Sequence, residues 1–191
     1  MKASQEKANR AGGTRNARAN AEPISRLIAD LRTHDGHTRE GARWALVALK
    51  GAAVAPLIDV LEDPDWHARW EAAKALGDIA DPAAAPALVD ALTDRRFGVR
   101  WLAAQGLIAL GPDCLRPLLR ALTRNTDSMW LRGGAHHILR DLSEGHLRRD
   151  MTEIVKPVLS ALEGVEPSAQ APMAARAALD SLPQRRRRQR S

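Results

Sequence analysis

His67–Asp94 reads HARWEAAKALGDIADPAAAPALVDALTD, and Gly98–Arg124 reads GVRWLAAQGLIALGPDCLRPLLRALTR. Laid over one another, Arg69 meets Arg100, Trp70 meets Trp101 and Leu76 meets Leu107, each pair 31 residues apart. Upstream, TREGARWALVALKGAAVAPLIDVLED (Thr38–Asp63) repeats the scheme at an offset of 30 in its first half. Downstream, WLRGGAHHILRDL (Trp130–Leu142) repeats it at an offset of 32. A fixed period of this length marks stacked supersecondary units, none of which buries its apolar face alone.

Each unit has two halves. The first runs from Arg39, Arg69, Arg100 or Arg132 through small residues to Leu46, Leu76, Leu107 or Leu139. The second carries a proline and an apolar run, as in Pro56–Leu61, Pro86–Leu92, Pro117–Leu122 and Pro157–Leu162. Apolar residues recur at i, i+3 and i+4 in both halves, so each half is an amphipathic helix. Proline fits the first turn of the second helix, where its missing N–H has no intrahelical partner. GDIADP and LGPD end the first helices. The unit is a helical hairpin.

The pattern V-R-x-x-A-A-x-x-L…P-x-L-x-x-A-L, carried by residues 35–163, resembles HEAT repeats, in particular the short form called PBS-lyase HEAT-like repeats. The resemblance implies an all-α, armadillo-type right-handed superhelix: an α-solenoid of about four hairpins. Pro23–Leu31 resembles a lone second helix and Ala171–Leu182 a lone first helix, half-repeats of the kind that cap a solenoid. The expected repeat domain is therefore 23–182. Repeat four departs from the pattern by about nine extra residues, SEGHLRRDM (143–151), expected as a loop on one rim.

Composition agrees with helices packed closely. Apolar residues are 45% of the chain and aromatic ones only 3%, and small side chains let helix axes approach to about 8 Å. No apolar run nears the roughly 20 residues that span a bilayer, and the first residues predict no secretory leader. One cysteine, Cys114, forms no internal disulfide, which points to a reducing cytoplasm. The formal charge of +6 sits at the ends: residues 1–22 carry +3 and residues 183–191 carry +5, leaving −2 for 23–182. Both ends lack the apolar content needed to offset ordering entropy, so they are expected as disordered basic tails. Nucleic acid is expected only through these arginine-rich ends, which interleave no aromatic residues for base stacking.

Candidate binding residues come from comparing units position by position. Trp70 and Trp101 fall about 200° from the core centre, with Trp44 further round, so they are candidates for a partner groove. Trp66 and Trp130 begin first helices and are expected as packing residues. Second helices of such repeats line the concave surface. Their outward positions hold Asp59, Asp90, Arg120 and Ser160, and Ala55, Ala85, Arg116 and Lys156 precede the prolines. That face should grade from acidic to basic and select a partner of opposite gradient. The arginine column Arg39, Arg69, Arg100 and Arg132 is expected to be structural, reaching the preceding loops near Asp63 and Asp94.

His136 and His137 invite a metal reading that helical geometry opposes. Adjacent residues diverge by about 100°, whereas paired helical ligands stand at i, i+4 and a site needs three or four. The register places His136 against a neighbouring repeat and His137 toward solvent or the insertion. Cys114 precedes a second helix without a base beside it, and reads as a packing thiol. No phosphate-binding glycine loop, G-x-S-x-G or H-E-x-x-H occurs.

Three function classes compete. The expected one is a non-enzymatic scaffold that binds protein and needs no cofactor. The resemblance also implies a bilin (phycobilin) lyase-like enzyme subunit, since such lyases name the repeat. HEAT-type deoxyhypusine hydroxylases hold iron through His-Glu pairs, which this chain lacks. HEAT-like DNA glycosylases grip DNA on a basic concave face, which the charge of 23–182 and Asp59 and Asp90 oppose.

Overall fold

The computed structural model describes residues 23–125, 127–145 and 147–183. The expected tails lie outside the described residues, apart from Pro183. Helices dominate and no strand occurs among the described residues. The fold is all-α, an α-solenoid of helical hairpins. By internal contacts the chain divides after Ala84 into two compact units.

The first unit holds α1 (23–30), α2 (Gly36–Ala48), α3 (Gly51–Val60), α4 (Trp66–Ile79) and a 3-10 turn, Pro82–Ala84. Side-chain caps set the first-helix starts. Asp35 accepts the Thr38 N–H at 2.9 Å, and Asp65 accepts the His67 N–H at 2.9 Å. Such caps satisfy amide groups that have no partner within the helix. α4 packs on both α2 and α3.

The second unit holds α5 (Ala85–Ala91), α6 (Phe97–Leu110), a 3-10 turn (Gly111–Cys114), α7 (Leu115–Arg124), α8 (Met129–Gly145), α9 (Arg149–Glu163) and α10 (Pro167–Ser181). Leu46, Leu76, Leu107 and Leu139 are all buried, as are Ala42, Ala72, Ala103 and Ala135 one turn before them. The same two positions thus form the core in every first helix. Gly134 of α8 meets Leu92 so closely that a Cβ there would lie 3.1 Å from the leucine Cδ2.

The turn from first to second helix needs a positive φ: 49° at Lys50, 53° at Ala80 and 59° at Gly111. Only the last of these uses glycine, the residue that adopts such angles without a Cβ clash.

Three expectations change. Pro56 and Pro157 stand inside α3 and α9, because those helices begin well before the proline. The nine extra residues are mostly helical: they lengthen α8 to Gly145 and start α9 at Arg149. The C-terminal cap also differs. α10, expected as a lone first helix over Ala171–Leu182, starts at Pro167 and packs against α7 as well as α9. The reason is packing. α10 presents a face of small side chains, Ala171, Ala175 and Ala178, and the carbonyls that follow it are held to α7 by Arg116.

Candidate interaction surfaces

The arginine column is built the same way wherever its surroundings are described. Arg39 Nη1 donates to the carbonyls of Thr33 and His34 at 2.8 and 3.0 Å. Arg69 Nη1 donates to those of Asp63 and Pro64 at 2.7 and 3.2 Å. Arg100 Nη1 donates to those of Asp94 and Arg95 at 2.7 and 3.3 Å. The guanidinium thus closes the loop before α2, α4 and α6 through main-chain oxygens. Arg132 holds the same register, but position 126, six residues before it, lies outside the described residues. Asp63 itself accepts from Arg32 Nε at 2.6 Å and from the Asp65 N–H at 2.9 Å.

In the first unit a buried ion network joins α2 to α4. Arg43 and Glu71 are 4% and 5% exposed, with Arg43 Nε 2.9 Å from Glu71 Oε2. Asp78 and Glu40 lie 3.5 and 3.4 Å from the other guanidinium nitrogens, and Arg39 Nε lies 3.7 Å from Glu71 Oε1. Above the network is a cleft of about 370 Å³ lined by Arg39, Arg43, Trp66, His67 and Trp70. Trp70 is half-buried there, while Trp44 is exposed with Arg43 4.6 Å from its ring centroid. Asp59 is exposed on α3.

The second unit carries an aromatic ridge along α6 and α8. Phe97 is 69% exposed, Trp101 47%, Met129 71% and Trp130 43%. Phe97 and Trp101 stack at 6.3 Å between centroids, and Trp101 stacks on His137 at 5.2 Å. Arg100 lies 4.5 Å from the Trp130 ring centroid and 5.7 Å from that of Phe97. The column residue therefore also orders the ridge. Trp66 and Trp130 were expected to be packing residues; both are substantially exposed, because the first position of each of these helices projects beyond the core.

On the other helices of this unit, α5 and α7 form a groove of about 360 Å³. Asp90 and Arg120 both line it, together with Val89, Ala121, Arg124 and Leu131. Arg116, expected on this face, instead donates to the carbonyls of Leu182 and Pro183, each at 2.9 Å. Lys156 is exposed on α9.

The two histidines exchange their expected roles. His137 touches the preceding repeat, stacking on Trp101 with its Nε2 3.3 Å from Gln105 Nε2. His136 Nε2 lies 2.8 Å from Glu163 Oε1 at the end of α9. The stack on Trp101 fixes His137 against α6, and the Glu163 carboxylate holds His136 to the end of α9. No group of three or more His, Cys, Asp or Glu side chains is placed to hold a metal among the described residues. Burial pushes the Cys114 thiol up to about 12, far from a reactive thiolate. No helix among the described residues is long and apolar enough to cross a membrane.

Sequence reasoning missed Phe97 and the Arg43–Glu71 pair. Phe97 stands 31 residues after Trp66, so an aromatic at each helix start was a usable signal. Arg43 occupies a slot filled elsewhere by Ala73 and Ala104, and Glu71 one filled by Leu102. A charge of each sign in two slots that α6 fills with Ala104 and Leu102 is the mark of a buried pair.

Residues 24–108 match the family of HEAT repeats. HEAT repeats are thus shown for residues 24–108. Among solved structures, these repeats resemble a chain in the complex of CpcE and CpcF of phycocyanin lyase from Nostoc sp. PCC7120. That match has 25% identity and a TM-score of 0.54, and covers 83% of this chain and 98% of that one. An engineered protein is also similar, at 21% identity and a TM-score of 0.45, over 83% of this chain and 78% of that one. No curated protein matches the chain.

Proposed function

We propose that this HEAT-repeat chain is a non-enzymatic cytoplasmic scaffold that binds a protein partner through the α6–α8 ridge and the α5–α7 face. The observation that carries the reading is the exposed, ordered ridge of Phe97, Trp101, Met129 and Trp130 around Arg100. Tryptophan, phenylalanine, methionine and arginine are the residues enriched at protein interfaces and their hot spots. Stacking and the Arg100 contacts hold the Phe97, Trp101 and Trp130 rings before binding, which lowers the entropic cost of association. The similar lyase chain was itself solved in a complex of two proteins, which supports a protein partner.

The test is affinity purification from the native host with the wild-type chain and with Phe97→Ser/Trp101→Ser. A partner captured by the wild type and lost from a folded variant is expected. Equal capture by both, or none by the wild type, contradicts the reading.

A second reading, a bilin lyase-like subunit, is favoured by the similarity to the phycocyanin lyase chain over nearly all of that chain. Mixing this chain with a free bilin and an acceptor apoprotein tests it. A lyase subunit shifts the visible band or links the chromophore covalently, and the scaffold does neither.

A further inference from the structure

We infer that the partner presents an amphipathic helix with acidic flanks, which lies along the seam of α6 and α8 and sets one bulky apolar side chain over Gly133. This rests on the scaffold reading and names both the chemistry of the partner and the residue that admits it.

Gly133 and Gly134 stand side by side in α8, and only one has a packing reason. A Cβ on Gly134 would lie 3.1 Å from Leu92, whereas a Cβ on Gly133 would meet nothing within 4 Å among the described residues. Glycine inside a helix is destabilising relative to alanine. Where no contact within the chain requires it, glycine suits a place that another molecule approaches closely. The repeat register marks the same position. Trp101 stands 32 residues before Gly133, in the equivalent place on α6, and Trp70 fills that place on α4. Where two repeats carry an indole, α8 leaves open space.

The slot has walls. Met129 and His137 stand one turn before and one turn after Gly133, on the same face of α8. The Trp101 ring stacks on His137, and Phe97 stacks on Trp101 from one turn earlier on α6. Phe97, Trp101 and Met129 are all exposed, and α6 packs directly on α8. Phe97–Trp101–Gln105 and Met129–Gly133–His137 thus form two rows at i, i+4 and i+8, each about 12 Å long. A helix offers its own side chains at the same spacing, so it fits between two such rows with its middle side chain over the glycine.

Charge sets the flanks. Residues 94–105 and 127–137, which build the seam, hold four arginines against two aspartates. Both signs are in that count, so pairing within the patch leaves its net charge of +2 unchanged. Arg95 is exposed just before α6. Glutamates beside the anchor of a partner helix are drawn to this end of the seam.

The test uses a fluorescent, lactam-bridged helical peptide with leucines at i, i+4 and i+8 and glutamates on either side. It is titrated with the full chain and followed by anisotropy. Saturable binding is expected. Gly133→Trp should weaken it by at least about tenfold, yet leave Tm no lower than wild type, since the new side chain enters open space. Gly133→Ala should weaken it by about threefold while raising Tm by roughly 2–4 °C. Replacing the middle leucine by alanine should cost about tenfold with the wild type and less than about twofold with Gly133→Trp, the coupling that a shared slot requires. Arg95→Glu should weaken binding by about threefold or more, and Met173→Ser on α10 should leave it unchanged. The inference is overturned if the peptide does not bind, or if Gly133→Trp binds it as well as wild type does. It is also overturned if loss of the middle leucine costs the same in both chains, or if anionic lipid vesicles bind the chain more tightly than the peptide does. A host partner captured equally by Gly133→Trp and wild type, yet lost from Phe97→Ser/Trp101→Ser, would keep the scaffold and remove the slot.

Discussion

Replacing Glu71 by glutamine tests how the first unit is held together. Glu71 is 5% exposed, and its carboxylate lies 2.9 Å from Arg43 Nε and 3.7 Å from Arg39 Nε. Breaking a buried ion pair from one side costs about 3–5 kcal/mol, because the remaining charge is left in a medium that solvates it poorly. Arg43 keeps Asp78 and Glu40 at 3.5 and 3.4 Å, so the lower end applies, about 3 kcal/mol. For a chain of this size that is a fall in Tm of roughly 6–12 °C. Because the pair is out of reach of counterions, added salt should barely change the loss. The double variant Arg43→Ala/Glu71→Leu installs the residues that α6 has at these slots, Ala104 and Leu102. It removes both charges together and should lie within about 1 kcal/mol of wild type. Urea titration followed by tryptophan fluorescence reads the outcome, since Trp44, Trp66 and Trp70 stand in this unit. A loss under about 1 kcal/mol for the single variant, or a double variant as weak as the single, refutes the argument.

Other perturbations give equally definite outcomes. Lys50→Gly should raise stability by about 1 kcal/mol, because a φ of 49° strains any residue with a Cβ; thermal unfolding by circular dichroism measures it. Cys114 should resist thiol reagents at pH 8 in the folded chain and react once the chain is unfolded in urea, since burial holds its pKa near 12. Asp65→Ala should cost about 1 kcal/mol by loss of the α4 cap. Partial burial raises the Asp65 pKa, but hydrogen bonds from the His67 N–H and ring outweigh that and hold it below the ordinary aspartate value. Its contribution is therefore complete above about pH 4 and lost as pH falls through the lowered pKa, and Asp65→Asn should remove that acid limb from a stability–pH curve.

The repeating core was plain in the sequence because one geometry recurs. Leu46, Leu76, Leu107 and Leu139 face inward for the same reason at each repeat, so one correct alignment places them all. The partners of the arginine column were legible only as a region, since a loop carbonyl leaves no mark in the residue type. The seat of α10 was not legible. α10 buries only the small Ala171, Ala175 and Ala178, whereas α9 buries Met151, Val155, Val158 and Ala161, and the Arg116 bonds that hold the end of α10 to α7 leave no mark in the periodicity. The ridge was half legible. Trp101 was marked by its angle from the core, but Phe97 and Trp130 stand at helix starts, where angular reasoning about burial fails because the core ends there.

Hydroxyl-radical footprinting of the chain with its captured partner reads the binding surface through side chains that oxidise readily. Trp101, Met129 and Trp130 should lose most of their reactivity in the complex, while Met173, exposed on α10, keeps its own. Ridge residues that oxidise as fast in the complex as in the free chain would contradict the claim that α6 and α8 form the partner's seat.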